Sequence, residues 1–213
     1  MTTRITIIYD NTAWQKSLSA DWGFACLVEA RGKKILFDTG AKGPLLLTNM
    51  QALQIDPRTI DSVFISHGHW DHTGGLTDFL RIQPVGVYFP RSCQNNGLPP
   101  ESVPVKDPLE IYPGIHTTGE LNGIEQSLVI REGNGVVVVS GCAHPGVEAI
   151  LAAAASFGRI RALVGGLHGF DNFPLIENLE AVCPTHCTRH VKEIEVRFPD
   201  KFISGGAGRI LEF

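Results

Sequence analysis

Short apolar runs, punctuated by glycine, proline and polar residues, recur along the chain and read mostly as strands. Ile5-Thr6-Ile7-Ile8-Tyr9 is the first. A polar loop from Asp10 to Gly23 follows and carries Trp14 and Trp22. Phe24 to Glu29 and Lys34 to Phe37 are the next two strands, joined by a hairpin turn at Ala30-Arg31-Gly32-Lys33. Leu45 to Leu53 predicts a helix, and Pro57 opens a short turn before a buried strand over Ile60 to Ile65. Thr73-Gly74-Gly75-Leu76 turns into a further helix that continues over Thr77 to Leu80, and Val85 to Phe89 is another strand. Pro90 to Pro113, rich in Pro, Asn and Gly, reads as an irregular insertion.

The second half repeats the style without repeating the sequence. Strands are expected at Ile115 to Thr117, Ser127 to Ile130 and Val136 to Ser140, the last two separated by a turn at Gly133-Asn134-Gly135. Gly146 to Phe157, with its run of four alanines from Ala152, predicts a helix. Arg161 to Val164 and Ala181 to Cys183 are apolar strands, His190 to Arg197 a helix, and Phe202-Ile203 and Arg209 to Leu211 closing strands. Antiparallel-looking strands followed by strand–helix units, twice over, imply sheet packed on sheet with helices outside.

Composition fixes the scale of that picture. A chain of 213 residues suffices for one well-buried core and not for two ordinary domains, so one domain over 1–213 is expected. The chain is 43% hydrophobic and 19% charged, with net charge −4, and nothing in that balance points to a nucleic-acid partner. No apolar run reaches the roughly 20 residues that span a membrane, and Met1-Thr2-Thr3-Arg4-Ile5 lacks the apolar core of a signal peptide. Five cysteines (Cys26, Cys93, Cys142, Cys183 and Cys187) make an odd set without a small-domain disulfide pattern, as expected for a reducing cytoplasm.

Candidate chemistry concentrates in Ser66-His67-Gly68-His69-Trp70-Asp71-His72. His67 and His69 are two apart, so an extended strand end points both to one side, while Asp71 and His72 approach the same space from the turn that follows. Imidazole with carboxylate suits divalent zinc, iron or manganese. An aspartate among closely spaced histidines at a strand end fits a metal site better than a solvated histidine-rich loop. His144, His168 and His186 each follow an apolar strand, and strand-end loops on a rigid sheet are where catalytic residues concentrate. His116 and His190 have no motif around them and read as surface or core residues. Cys183-x-x-x-Cys187 lacks the second cysteine pair of a zinc knuckle, so Cys142, Cys183 and Cys187 read as core residues or as supports behind the metal ligands. No serine-hydrolase elbow, phosphate-binding glycine loop or dinucleotide fingerprint is present.

His67-x-His69-x-Asp71-His72 resembles the signature of the metallo-β-lactamase superfamily. Phe37-Asp38-Thr39-Gly40 looks like its first motif and Gly141-Cys142-Ala143-His144-Pro145-Gly146 like its third. With Gly165-Gly166-Leu167-His168 and Pro184-Thr185-His186-Cys187-Thr188, the set resembles a subgroup often labelled dihydropterin–ribofuranosylaminobenzene phosphate synthase-like. The resemblance runs essentially end to end. It implies an αββα sandwich with a dinuclear site at one edge, His67, His69 and His144 holding the first metal and Asp71, His72 and His186 the second. Asp38 would orient ligating imidazoles. His168 stands where many members have a bridging aspartate; a neutral imidazole cannot bridge two ions in that way, so it is expected to bind the second metal or to act on substrate or proton.

The resemblance implies two divalent ions, zinc before iron or manganese, and an enzyme acting on a small-molecule substrate. In the leading reading Asp71 orients a nucleophilic water for attack on a small ester, lactone or phosphoester. The alternative is a transferase that joins a dihydropterin methyl diphosphate to an aminobenzene ribotide phosphate, with Trp14, Trp22 and the 90–113 insertion as pocket walls and Arg189 near the anion. A non-catalytic metal-containing sensor or binding module is a third. Oligomeric state is not legible.

Overall fold

The computed structural model describes residues 2–93 and 97–213. The chain starts in a sheet that takes β1 (Arg4–Tyr9), β2 (Ala25–Ala30), β3 (Lys33–Phe37), β4 (Ser62–Phe64), β5 (Val87–Pro90) and β6 (Val103–Val105). It then crosses to a second sheet of β7 (Leu109–Tyr112), β8 (Ile115–Thr117), β9 (Leu128–Glu132), β10 (Gly135–Ser140), β11 (Arg159–Gly166) and β12 (Ala181–Thr185). A last strand, β13 (Ile210–Glu212), returns to pair with β1. The sheet orders are β13-β1-β2-β3-β4-β5-β6 and β12-β11-β10-β9-β8-β7. Each sheet begins antiparallel and turns parallel: β3 to β6 run parallel in the first, and β10, β11 and β12 in the second. Parallel pairing needs crossovers, and these carry α1 (Gly43–Ala52), α2 (Trp70–Thr73), α3 (Leu76–Ile82) and α4 (Val147–Ala154); α5 (Val191–Arg197) follows β12.

Alternation along the strands sorts side chains into three cores. Ile5, Ile7, Cys26, Val28 and Phe37 meet Val137, Val139 and Val164 between the sheets. The intervening residues face outward. Val136, Val138 and Leu163 pack on Ile150 and Leu151 of α4 and Ile194 of α5. Ile8, Leu27, Leu36 and Val63 pack on Leu46 and Met50 of α1 and Phe79 of α3. The result is the expected helix–sheet–sheet–helix sandwich.

Two expectations need correction. The 90–113 stretch is not wholly irregular: it contributes β6 and β7, the edge strand of each sheet. Pro104 within β6 is tolerated because that strand pairs on one side alone. Residues 94–96 of the stretch lie outside the described residues. Phe202-Ile203 is not a strand; Phe202 makes an isolated bridge with Val182. No described helix is long and apolar enough to cross a membrane.

The parallel strands carry their carboxyl ends to one edge of the sandwich. Asp38 follows β3, Ser66 and His67 follow β4, Gly141 to His144 follow β10, His168 follows β11 and His186 follows β12. Gln126 joins the two halves there, donating from its backbone to Ser66 O at 2.9 Å and from its amide to Ile65 O at 2.9 Å.

Candidate metal centre

The chain reverses abruptly at these strand ends. Asp38 (φ 54°), Ala143 (φ 59°), His168 (φ 43°) and His186 (φ 49°) all adopt the left-handed conformation. Such conformations cost of order 1–3 kcal/mol each and persist where surrounding structure enforces them.

Two of the donor groups that result match the expected ligand sets. In the first, His67 Nε2 lies 3.1 Å from His69 Nδ1, and His144 Nε2 lies 3.2 Å from the former and 3.1 Å from the latter. Three nitrogens on one tetrahedral zinc stand about 3.3 Å apart at ordinary zinc–nitrogen lengths, so the triangle fits one face of a coordination polyhedron. In the second, Asp71, His72 and His186 bring their ligand atoms within 4.8 Å of one another, with Asp71 Oδ2 3.3 Å from His186 Nε2. His186 Nε2 is buried and has no hydrogen-bond partner, the state of a nitrogen whose partner is a cation. The donor chemistry and the convergence both fit bound divalent metal.

The protein fixes which nitrogen is free on His67, His72 and His186. Asp38, fully buried, accepts from Ser66 N through Oδ1 (2.7 Å), and from Ser66 Oγ (2.7 Å) and His72 Nδ1 (2.7 Å) through Oδ2. Because the Ser66 hydroxyl donates to Asp38, its oxygen accepts from His67 Nδ1 at 2.9 Å. One aspartate thereby sets the tautomers of His67 and His72 and leaves both Nε2 atoms as lone pairs. Asn11 does the same for His186, accepting from Nδ1 at 2.9 Å while donating to the His186 carbonyl at 3.0 Å. Trp22 Nε1 donates to Asp71 Oδ2 at 2.8 Å, and its ring meets His186 edge-on at 5.2 Å.

Glu125 is a residue the sequence did not single out. Its buried carboxylate accepts from four successive backbone amides: Gly141, Cys142 and Ala143 at 3.0, 3.0 and 3.1 Å on Oε1, and His144 at 2.8 Å on Oε2. The loop carrying His144 is folded around this side chain. Gly141 completes the fit, since a Cβ there would lie 2.1 Å from Ser66 Oγ.

Electrostatics favour neutral imidazole at His67 and His144. Burial, then the neighbouring imidazoles, hold His67 far below its ordinary value, and burial with His168 lowers His144 to about 4. Burial, then His72, lowers His186 to about 3. Burial also disfavours charge on His72, but Asp38 outweighs it and the net shift is upward.

All the sequence-predicted residues lie at this edge, with one regrouping. His168 shares its nearest group with Cys142 and Cys187, not with the Asp71–His72–His186 set. Its Nε2 is buried and unpartnered, and its ring centroid is 4.5 Å from that of His144. Cys142 Sγ lies 3.2 Å from His72 Nε2 and shares a group with His67 and His72. His116 stacks on Phe157 and His190 pairs with Glu193, both away from the centre. Trp14 is half exposed under the Arg209 guanidinium.

Two cavities flank the donors. The larger, about 920 Å³, has His67 and His69 in its wall, with Ile65, Leu76, Phe89 and Leu98. Its cation, Arg81, is paired with Asp78 at 2.9 Å. The smaller, about 410 Å³, is lined by His144 and His168 with Phe170 and Leu175.

Comparison with known proteins gives consistent matches. The family described as the metallo-beta-lactamase superfamily matches residues 23–186. The 7,8-dihydropterin-6-methyl-4-(beta-D-ribofuranosyl)-aminobenzene-5'-phosphate synthase of Methanocaldococcus jannaschii is 25% identical, over 98% of this chain and 95% of that protein. The crystal structure of Tm1679, described as a metal-dependent hydrolase of the beta-lactamase superfamily, superposes with a TM-score of 0.82 at 27% identity, covering 99% of both chains. Zinc-bound PqqB from Methylobacterium extorquens shares the fold at 14% identity and a TM-score of 0.68, over 99% of this chain and 100% of that one.

Proposed function

This chain belongs to the metallo-beta-lactamase superfamily, and from that premise we propose that it is a metal-dependent hydrolase acting on a small, uncharged carboxylic ester or lactone. His67, His69 and His144 would hold one divalent ion and Asp71, His72 and His186 a second. When bound, such ions supply Lewis acidity and a water acidic enough to act as nucleophile near neutral pH. The observation that carries the reading is the convergence of two donor sets in which Asp38, Ser66 and Asn11 select the free lone pairs of His67, His72 and His186.

The remaining work falls to the chain's own groups. Trp22 fixes Asp71 Oδ2 and so the direction from which that carboxylate orients the nucleophile. The larger cavity takes the organic part of the substrate against Ile65, Leu76, Phe89 and Leu98. Its sole lining cation among the described residues is already paired, which favours an uncharged ester over a phosphoester. His168, kept neutral by burial and then by Arg189, presents Nε2 as a proton acceptor beside His144.

A transferase joining a dihydropterin methyl diphosphate to an aminobenzene ribotide phosphate is the second reading. It is favoured by the name of the archaeal relative and by the second cavity, since two organic substrates need two seats and hydrolysis needs one. The test is a panel of nitrophenyl esters, lactones, thioesters and phosphodiesters, assayed with the chain loaded with zinc, iron or manganese. Metal-dependent turnover, fastest on an uncharged ester or lactone with an apolar acyl group, is expected. No turnover on any member, with condensation of the pterin and ribotide substrates, would replace the hydrolase reading by the transferase.

A further inference from the structure

We propose that the Cys142 thiolate is a ligand shared by both metal positions, taking the place of a bridging carboxylate. The inference rests on the two-metal reading above and concerns how its halves are joined. The donor sets meet at His67 and His72, and among the described residues Cys142 is the group that shares a cluster with both. Its Sγ is 3.2 Å from His72 Nε2, a nitrogen left as a lone pair by the hydrogen bond from Nδ1 to Asp38. Donors on one ion at zinc–sulfur and zinc–nitrogen bond lengths stand about 3.2–3.6 Å apart, so this separation fits a common cation.

The chemistry favours sulfur in that place. An imidazole nitrogen offers one lone pair, and a ring would have to lose both protons to join two ions, so His168 cannot serve. A thiolate keeps several lone pairs and can be held by two ions at once. Charge points the same way. Asp71 is the one carboxylate in either donor set, against four positive charges on two divalent ions. Cys142 adds a second negative charge at the midpoint, its thiol proton leaving to solvent as the ions bind.

The backbone is built to deliver it. Glu125 receives the amides of Gly141, Cys142, Ala143 and His144, so the turn that presents His144 to the first group presents Cys142 to both. Cys142 is 3% exposed, and its Sγ is held against His72 Nε2. Cys187 and His168 share a separate group with it and need not bind metal for the bridge to form.

Cobalt(II) titration of the metal-stripped chain tests the idea through the near-ultraviolet thiolate-to-cobalt charge-transfer band. The parent chain is expected to bind two cobalt ions, with the band growing over both equivalents. Cys142→Ser should abolish the band and weaken the second equivalent by more than about tenfold, whereas Cys187→Ser should keep both. Cys142→Asp, which restores a bridging carboxylate, should bind two ions without the band, so a poorly folding serine variant leaves the test intact. Two bound ions with no band in the parent, a band complete after one equivalent, a band that survives Cys142→Ser, or one lost in Cys187→Ser would each overturn the bridge. Failure of the parent to bind two ions would overturn the two-metal reading itself and is separately visible in the stoichiometry.

Discussion

Replacing Glu125 by glutamine tests how the metal-side loop is held. The side chain keeps its size, but its charge goes and one of its oxygens becomes an NH2. With Oε1 retained, the amides of Gly141, Cys142 and Ala143 keep an acceptor at 3.0–3.1 Å, now a neutral one, and each loses about 1 kcal/mol. The His144 amide, 2.8 Å from Oε2, would face another donor and be left unsatisfied at about 1–3 kcal/mol. Burial pushes the Glu125 carboxyl upward, so removing its charge returns part of this. A net loss of about 2–4 kcal/mol is expected, large against the 5–15 kcal/mol of an ordinary domain. Denaturant unfolding of the metal-stripped chain measures it without metal linkage. Because the lost bond is on His144 itself, a chelator competition should show metal affinity at the first donor set falling by about 10–100-fold. A variant within about 0.5 kcal/mol of the parent, with unchanged affinity, would refute the clamp.

Two further substitutions probe the supports. Asp38→Asn places an NH2 where His72 Nδ1 and the Ser66 hydroxyl donate, so His72 shifts its proton to Nε2 and loses the lone pair facing Asp71 and Cys142; metal competition should show second-ion affinity down about 10–100-fold, and unchanged affinity would refute the tautomer argument. Asp10, buried beneath the His186 amide, has its carboxyl pushed up by burial to about 6. A raised folded-state value means the stability it lends is complete below the unfolded value near 4 and lost as pH rises through about 6. Asp10→Asn should therefore match the parent below about pH 4 and exceed it by up to about 3 kcal/mol at pH 7; parallel stability–pH curves for the two chains would contradict this.

What was legible in sequence was what is local. His67, His69, Asp71 and His72 fall within six positions after an apolar strand, and short apolar runs mark the strands that His144, His168 and His186 follow. Asp38 was legible through its motif. Glu125 was not, because its meaning lies in four amides 16 to 19 residues further along the chain. A single acid before Gln126 carries no such signal. Asn11, in the same way, was hidden in a polar loop 175 positions from His186. Edge strands β6 and β7 were masked by the proline, asparagine and glycine around them, residues that a strand paired on one side can accept. The regrouping of His168 with Cys142 and Cys187 depends on the left-handed turn at φ 43°, which sequence periodicity does not encode.

Each donor set draws on both halves of the chain. His67 and His69 come before the crossing between sheets and His144 after it, 75 positions beyond His69. Asp71 and His72 join His186 across an even longer span. A bound ion would thus act as a cross-link, closing loops whose entropy in the unfolded chain is worth about 4–5 kcal/mol each by the account used for disulfides. The first sheet and the second would be stapled at the edge where the parallel strands end, and metal loading would govern how slowly the two halves come apart under protease or heat as well as what the site can do.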